Sequence, residues 1–251
     1  MRQISSIVCL LALALTGCAT APAVAPQRSA LAHWTPSPNF NARRAQLIVI
    51  HHTSIGDMDA SRRVLTRTGV PNPVSAHYLI GADGRIDQLV DDRERSWHAG
   101  ASNWGTITDV NSASIGIELD NDGVAPFSQA QIQALVRLLG DLTTRLGIPR
   151  EAVVGHGDIA PGRKNDPSVQ FSWATLAQYG YGLWYDQPLI PAPPAFDSLA
   201  AMRLVGYDLG NPRAAIVAFH RHYRNTENDT LDATDAAILY SLQRKLTATT
   251  R

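Results

Sequence analysis

Side chains of the kinds that hold metal ions stand at two places in this chain. His51 follows the apolar run Gln46–Ile50, and His156, Asp158 and Asp166 lie in VVGHGDIAPGRKNDP, from Val153 to Pro167. A catalytic zinc site draws three ligands from His, Cys, Asp and Glu and keeps a fourth position for water. Cysteine occurs only at Cys9 and Cys18, so imidazoles and carboxylates are the available donors. Two neighbouring strands ending in one histidine each would bring ligands together from distant sequence. Taken singly, such a histidine is more often a satisfied polar residue than a ligand; the set together points to metal chemistry. Asp158, two residues after His156, shares its face if the strand continues. Asp166 needs the chain to fold back, which Pro161 and Gly162 allow. Composition and spacing leave the choice between the two open. His52 points away from His51 in an extended strand and is expected to pack or bond locally.

These residues need elements to position them. Gln46–Ile50 is β-branched and reads as a buried strand ending at His51-His52. Ala76–Ile80 and Ile86–Val90 read as a hairpin across Gly81-Ala82-Asp83-Gly84. Ser114–Leu119 alternates, with Ile115, Ile117 and Leu119 on one face and Glu118 on the other. Met58–Thr68 is an amphipathic helix. Ser128–Leu146 is a second, with Ser128 and Gln131 as a capping box, Phe127 and Ile132 as a staple, and Gly147 as its stop. A short strand at 152–155 and a helix near 172–178 complete this part. Three helical patterns follow a proline-rich stretch: 196–205, 212–223 and 233–246. The fold class expected is α/β: a mixed central β-sheet flanked by helices, then a small three-helix C-terminal module.

Length and composition suit a globular chain: 251 residues, 45% hydrophobic, 22 basic and 22 acidic side chains. That balance carries no electrostatic signature for nucleic acid, and the chain is expected to act as a monomer. Arg2 and the apolar run Ile7–Leu15, ending in Leu15-Thr16-Gly17-Cys18, resemble a bacterial lipoprotein signal. That likeness implies a signal peptide over 1–17 and a lipidated, palmitate-bearing Cys18; a plain secretory cleavage site is the rival. Ala19 implies sorting to the outer membrane, facing the periplasm of a Gram-negative envelope. Residues 18–36 are expected to be a tether, 37–182 the α/β domain, 183–194 a linker and 195–248 the helical module.

Six segments in order, SPNFNAR (37–43), IVIHHTS (48–54), SAHYLIGADGRI (75–86), SWHAG (96–100), SIGIELDN (114–121) and GHGDIAPGRKNDP (155–167), carry a resemblance. Together they resemble the zinc-dependent N-acetylmuramoyl-L-alanine amidases, the type 2 family that includes the peptidoglycan-recognition proteins. The resemblance implies that fold, Zn(2+) held by His51, His156 and Asp166, and catalytic roles for Glu118 and Lys164. It implies a structural role for Asp158. Phage members carry a functional tyrosine where this chain has Ala76, which leaves Glu118 as the only base. SWHAG borders the substrate groove in relatives, so His98, Trp97 and Arg163 are candidate substrate contacts. For His98 a structural role is as plausible as contact; Trp97 and Trp104 are equally readable as packing. His77 is expected to be structural. The run Phe219–Arg224 reads chiefly as a solvated helix face, with glycan contact as the second reading.

The activity implied is hydrolysis of the amide between N-acetylmuramic acid and L-alanine in peptidoglycan or muropeptides, for cell-wall turnover or recycling. The helical module resembles peptidoglycan-binding modules more loosely. The alternative is a non-catalytic peptidoglycan-binding lipoprotein, disfavoured because all five metal and catalytic positions are filled. A zinc peptidase is disfavoured because no His-Glu-x-x-His helix occurs.

Overall fold

The computed structural model describes residues 28–42 and 45–248. The expected signal peptide, Cys18 and the first part of the tether lie outside the described residues.

Apolar runs without polar alternation belong at the centre of a sheet covered on both faces. β3 (Leu47–His52) is such a run and is buried along its whole length. It pairs in parallel with β7 (Ser114–Leu119) on one side and β8 (Val153–Gly155) on the other. β7 pairs in parallel with β4 (Tyr78–Ile80), which is antiparallel to β5 (Ile86–Gln88), and β1 (His33–Trp34) joins the outer edge of β5. The six strands run β1-β5-β4-β7-β3-β8. β2 (Phe40–Ala42) and β6 (Glu94–Ser96) form a separate antiparallel pair. Glu118 is therefore on a central strand.

The pleat divides β3 and β7 between two layers. Ile48, Ile50, Ile115, Ile117 and Leu119 pack with Leu135, Leu138, Leu139 and Leu142 of α3 (Gln129–Leu146). Leu47 and Val49 meet Val110 of α2 (Val110–Ala113) and Ile159 of α4 (His156–Ile159) on the other face. The Ser128 hydroxyl caps α3 by accepting from the Gln131 N–H at 3.0 Å, and Gly147 closes it at φ +66. The expected capping box does not close. Gln131 is fully buried, and its Nε2 donates to the carbonyls of Ile80 and Asp120 at the strand ends. α1 (Met58–Thr66) starts at the Asp57 cap, and α5 (Trp173–Gln178) starts at the Ser172 cap.

Three expectations need correction. The tether reading fails from residue 28 onward: Ser29 N donates to Gln88 Oε1, and Thr35 N and Ser37 N donate to the carbonyls of Gln88 and Leu89. Backbone pairing to an open sheet edge needs no apolar period, so composition does not reveal it. The 183–194 linker is partly core. Leu183, Trp184, Tyr185 and Leu189 pack against α6 (Ser198–Val205), α7 (Pro212–Arg224) and α8 (Ala233–Ala248), and Trp184 also touches the sheet core. The Phe219–Arg224 run is not solvated: Phe219, His220, Arg221, His222 and Tyr223 are buried. Its polar members have partners inside the protein. His222 stacks on Trp173 at 3.9 Å, His220 Nε2 faces Asp235 Oδ2 at 2.9 Å, and Arg221 pairs with Glu227 at 2.8 Å.

Because Trp104, Trp184 and the His222–Trp173 stack join the helical region to the α/β region, unfolding should be one cooperative transition. Tyr207→Phe, which removes the hydroxyl that donates to buried Asp158 at 2.9 Å, should lower the stability of the whole chain by about 1–3 kcal/mol. Denaturant melts followed by near- and far-ultraviolet dichroism check this; two separate transitions would show that the helices fold independently.

Candidate active site

β3 and β8 end side by side, and their last residues deliver the two histidines. His51 Nδ1 lies 2.9 Å from His156 Nδ1, and Asp166 Oδ2 lies 3.1 Å from the first and 3.0 Å from the second. All three side chains are buried. Four ligands held about 2.0–2.1 Å from one tetrahedral zinc ion stand about 3.3 Å apart, so this triangle is close to one face of such a site. Among the described residues this is the one His/Cys/Asp/Glu cluster with metal-holding geometry. Three electron-rich atoms so close, away from water, need positive charge at their centre.

Asp158 does not reach the cluster. β8 stops at Gly155 and the chain turns into α4, so His156 and Asp158 do not share a strand face. Asp158 Oδ2 accepts from the Gly155 N–H at 2.7 Å and from His222 Nδ1 at 2.7 Å, and Oδ1 accepts from the Tyr207 hydroxyl at 2.9 Å. Its lone pairs are spent on holding the turn and joining it to the helical region. Asp166 returns through Pro161 and Gly162 (φ +77), and its carbonyl accepts from the Gly157 N–H at 2.7 Å.

The β3–β7 register makes Glu118 the direct partner of His51. Glu118 lines the same cavity as the triad, about 340 Å³ in volume, together with Lys164, His52 and His98. Its Oε2 is buried without a hydrogen-bond partner, a costly placement unless an additional donor or a cation serves it. Burial, then the nearby Asp166 carboxylate, pushes the Glu118 carboxyl up to about 8, with Lys164 opposing the rise. Burial is also the largest influence on His51, and with the neighbouring His156 it lowers that imidazole to about 4. For Asp166, burial acts upward, but hydrogen bonds from His156 and His51 outweigh it and hold the carboxyl well below its ordinary range. Burial thus favours the uncharged His51 imidazole, and its surroundings the ionised Asp166 carboxylate, the charge states in which these two groups bind a metal.

The remaining candidates divide. His98 is buried, with Nδ1 3.0 Å from His51 Nε2 and Nε2 3.2 Å from the Ser114 hydroxyl. Arg163 Nη2 and Nε donate to the carbonyls of Ala99 and Ala101 at 2.6 and 3.0 Å. Trp97 is half-buried, its N–H donating to Ser75 Oγ. Trp104 packs edge-on against Tyr207 at 5.1 Å and does not line the cavity. His77 donates from Nε2 to the Glu94 carbonyl and accepts at Nδ1 from the Gly116 N–H, which ties β4 to β6 and β7. His52 lines the cavity, and its Nδ1 accepts from the Ser168 N–H at 3.2 Å. Sequence reasoning missed Asn111, Ser114, Tyr207 and His222. Asn111 and Ser114 hold the His98 segment, and Tyr207 and His222 hold Asp158 behind the site, each across a long sequence separation; only the neighbouring SWHAG motif hinted at the first two.

The comparisons agree with this geometry. The family model for N-acetylmuramoyl-L-alanine amidase matches residues 41–169. The N-acetylmuramoyl-L-alanine amidase AmiD of Escherichia coli is 37% identical over 93% of this chain and 95% of its own length. The structure of that enzyme with anhydro-N-acetylmuramic acid-L-Ala-D-γ-Glu-L-Lys superposes with a TM-score of 0.71, at 39% identity, over 81% of this chain and 90% of that one. AmpDh3 of Pseudomonas aeruginosa, bound to an anhydromuramic pentapeptide, superposes with a TM-score of 0.71 at 36% identity, over 84% and 95%. On the family match and on this extended similarity, the chain belongs to the N-acetylmuramoyl-L-alanine amidase family.

Proposed function

We propose that this protein hydrolyses the amide bond between N-acetylmuramic acid and L-alanine in peptidoglycan or its muropeptide fragments, with zinc held by His51, His156 and Asp166. The observation that carries the proposal is the convergence of those three donor atoms beside the buried, unpartnered Oε2 of Glu118. When bound, zinc supplies Lewis acidity to the attacking water and to the scissile carbonyl. Glu118 takes a proton from the water as its oxygen bonds to the carbonyl carbon. It then delivers that proton to the nitrogen of L-alanine as the C–N bond breaks, so the amine leaves neutral. Lys164, on the wall of the same cavity, opposes the negative charge that develops on the carbonyl oxygen.

Anchoring is part of the proposal. A lipid on Cys18 would hold the enzyme on the periplasmic face of the outer membrane, at high effective concentration against a polymeric substrate. The described residues contain no helix long and apolar enough to cross a membrane, so a covalent lipid is the attachment proposed. The helical region 195–248 is assigned peptidoglycan contact on its looser likeness to binding modules.

Three outcomes are expected of protein lacking residues 1–18. A chelator should abolish release of L-alanine-terminated peptide from muropeptides, and zinc should restore it, as mass spectrometry of the products would show. Glu118→Ala should lower kcat by roughly 10²–10⁴ with bound zinc retained. Asp166→Ala should lose the zinc by elemental analysis, whereas Asp158→Asn should keep it; equal zinc content in the two would overturn the ligand assignment.

The raised Glu118 carboxyl gives a signed prediction for the metal-free protein. A carboxyl that holds its proton up to about 8 when folded, against 4.5 ordinarily, contributes stability below 4.5 that is lost as pH rises toward 8. Chelated wild type should therefore lose stability between about pH 5 and pH 8 relative to chelated Glu118→Gln. Urea melts at both pH values measure the difference; parallel profiles would contradict the buried placement of Glu118.

A further inference from the structure

We propose that the His98-Ala99 dipeptide is a bracket that sets the tautomers of both metal-facing imidazoles, so that His98 is a positioning residue and not a substrate contact. The inference rests on the metal assignment above.

The proton order follows from the hydrogen bonds. Ser114 Oγ donates to the Val110 carbonyl at 2.5 Å, so its proton is committed. The contact of Ser114 Oγ with His98 Nε2 at 3.2 Å is then an N–H donated by His98. With His98 neutral, its Nδ1 carries the lone pair and accepts from His51 Nε2–H at 3.0 Å. That leaves His51 Nδ1 bare and aimed at His156 and Asp166. The second ligand is set by the next residue's backbone. His156 Nε2 lies 3.1 Å from the Ala99 carbonyl, an obligate acceptor that holds the proton on Nε2 when a cation among the three ligands takes the Nδ1 lone pair. Arg163 Nη2 donates to the same carbonyl at 2.6 Å. Its 3.4 Å approach to His156 Nε2 is the third side of that triangle and not a competing bond.

The bracket is itself held at three points. Asn111 Oδ1 accepts from the N–H groups of both His98 and Ala99, at 3.0 and 2.8 Å. The His98 ring lies flush on β7, where a β-carbon at Gly116 would collide with it. It meets the His51 ring edge-on, with centroids 5.1 Å apart and planes at 88°. Ser114, Gly116 and Glu118 alternate along one face of β7. The same strand therefore carries the end of the relay, the bed for the ring and the proposed base. Both polar atoms of His98 are engaged within the protein, which is why the ring is assigned to the metal ligands and not to substrate.

The test uses the chain lacking residues 1–18 and two readouts besides activity. The first is the zinc dissociation constant, from competition with a chelator of known affinity. The second is the tautomer of His51 in the metal-free protein, from long-range ¹⁵N–¹H spectra of the imidazoles. His98→Phe keeps a ring and removes the acceptor. His98→Asn places an amide oxygen near the Nδ1 position and restores it. Ser114→Ala, a gentler change, removes only the group that orders the His98 protons. Outer ligand partners of this kind typically change metal affinity by ~10- to 100-fold. His98→Phe is expected to weaken zinc binding by about that factor, His98→Asn to regain part of it, and Ser114→Ala to show a smaller loss. In wild type, His51 should be the Nε2–H tautomer before zinc is added, and a mixture in His98→Phe. Zinc affinity within twofold of wild type for folded His98→Phe and Ser114→Ala, with the His51 tautomer unchanged, would overturn the bracket. Failure of the metal assignment is separable: wild type and Asp166→Ala would then bind zinc equally, while the metal-free spectra would still decide the tautomers.

Discussion

The pairing of β3 with β7 in one register is the constraint on which the site depends. It sets His51 beside Glu118, Val49 beside Gly116 and Leu47 beside Ser114. Because side chains alternate along a strand, a slip of one residue would turn Glu118 into the helix-covered core and bring Ile117 to the metal face. The slip is opposed by both layers at once. On one side Ile48, Ile50, Ile115 and Ile117 are fully buried against α3; on the other the His98 ring fits only where β7 has glycine. Register here is specified by apolar packing and read out as chemistry.

The site concentrates unfavourable electrostatics and leaves them for a cation to relieve. Two imidazoles, Asp166 and Glu118 share a small volume, and the protonation of the two carboxyls is displaced in opposing senses. Glu118 is pushed up chiefly by burial, while Asp166 is held down despite it. A dication among His51, His156 and Asp166 lessens the repulsion between donors and favours the ionised form of Glu118. On the proposed assignment, binding the ion and preparing the base would be one electrostatic event. Tertiary structure meets the cost of keeping these groups together without it, through the large cores on either side.

The helical region takes part in this support. Tyr207 and His222 reach Asp158 in the α4 turn, His222 stacks on Trp173, and Asn225 Nδ2 donates to the carbonyls of Val169 and Phe171. The turn that starts with His156 is clasped between the sheet edge and α7. A region that composition suggests is an appendage is packed against the back of the loop between His156 and Asp166, and its buried polar residues are explained by that contact.

Much of this protein is legible in its sequence. Apolar runs at 46–50 and 114–119, the Ser128 cap and the Gly147 stop determine the strands and the long helix, because local propensity and burial act in the same direction there. The ordered motifs around His51, Glu118, His156 and Asp166 determine the family. Spacing alone left Asp158 and Asp166 as equal candidates. The fold separates them by ending β8 at Gly155, which turns Asp158 toward Tyr207 and His222 and brings Asp166 back across the loop. The edge strand at His33–Trp34, the buried face of α7 and the Asn111–His98–Ser114 relay were likewise settled only in three dimensions. Each rests on hydrogen bonds between residues far apart in the chain, whose partners have no periodicity for a sequence to display.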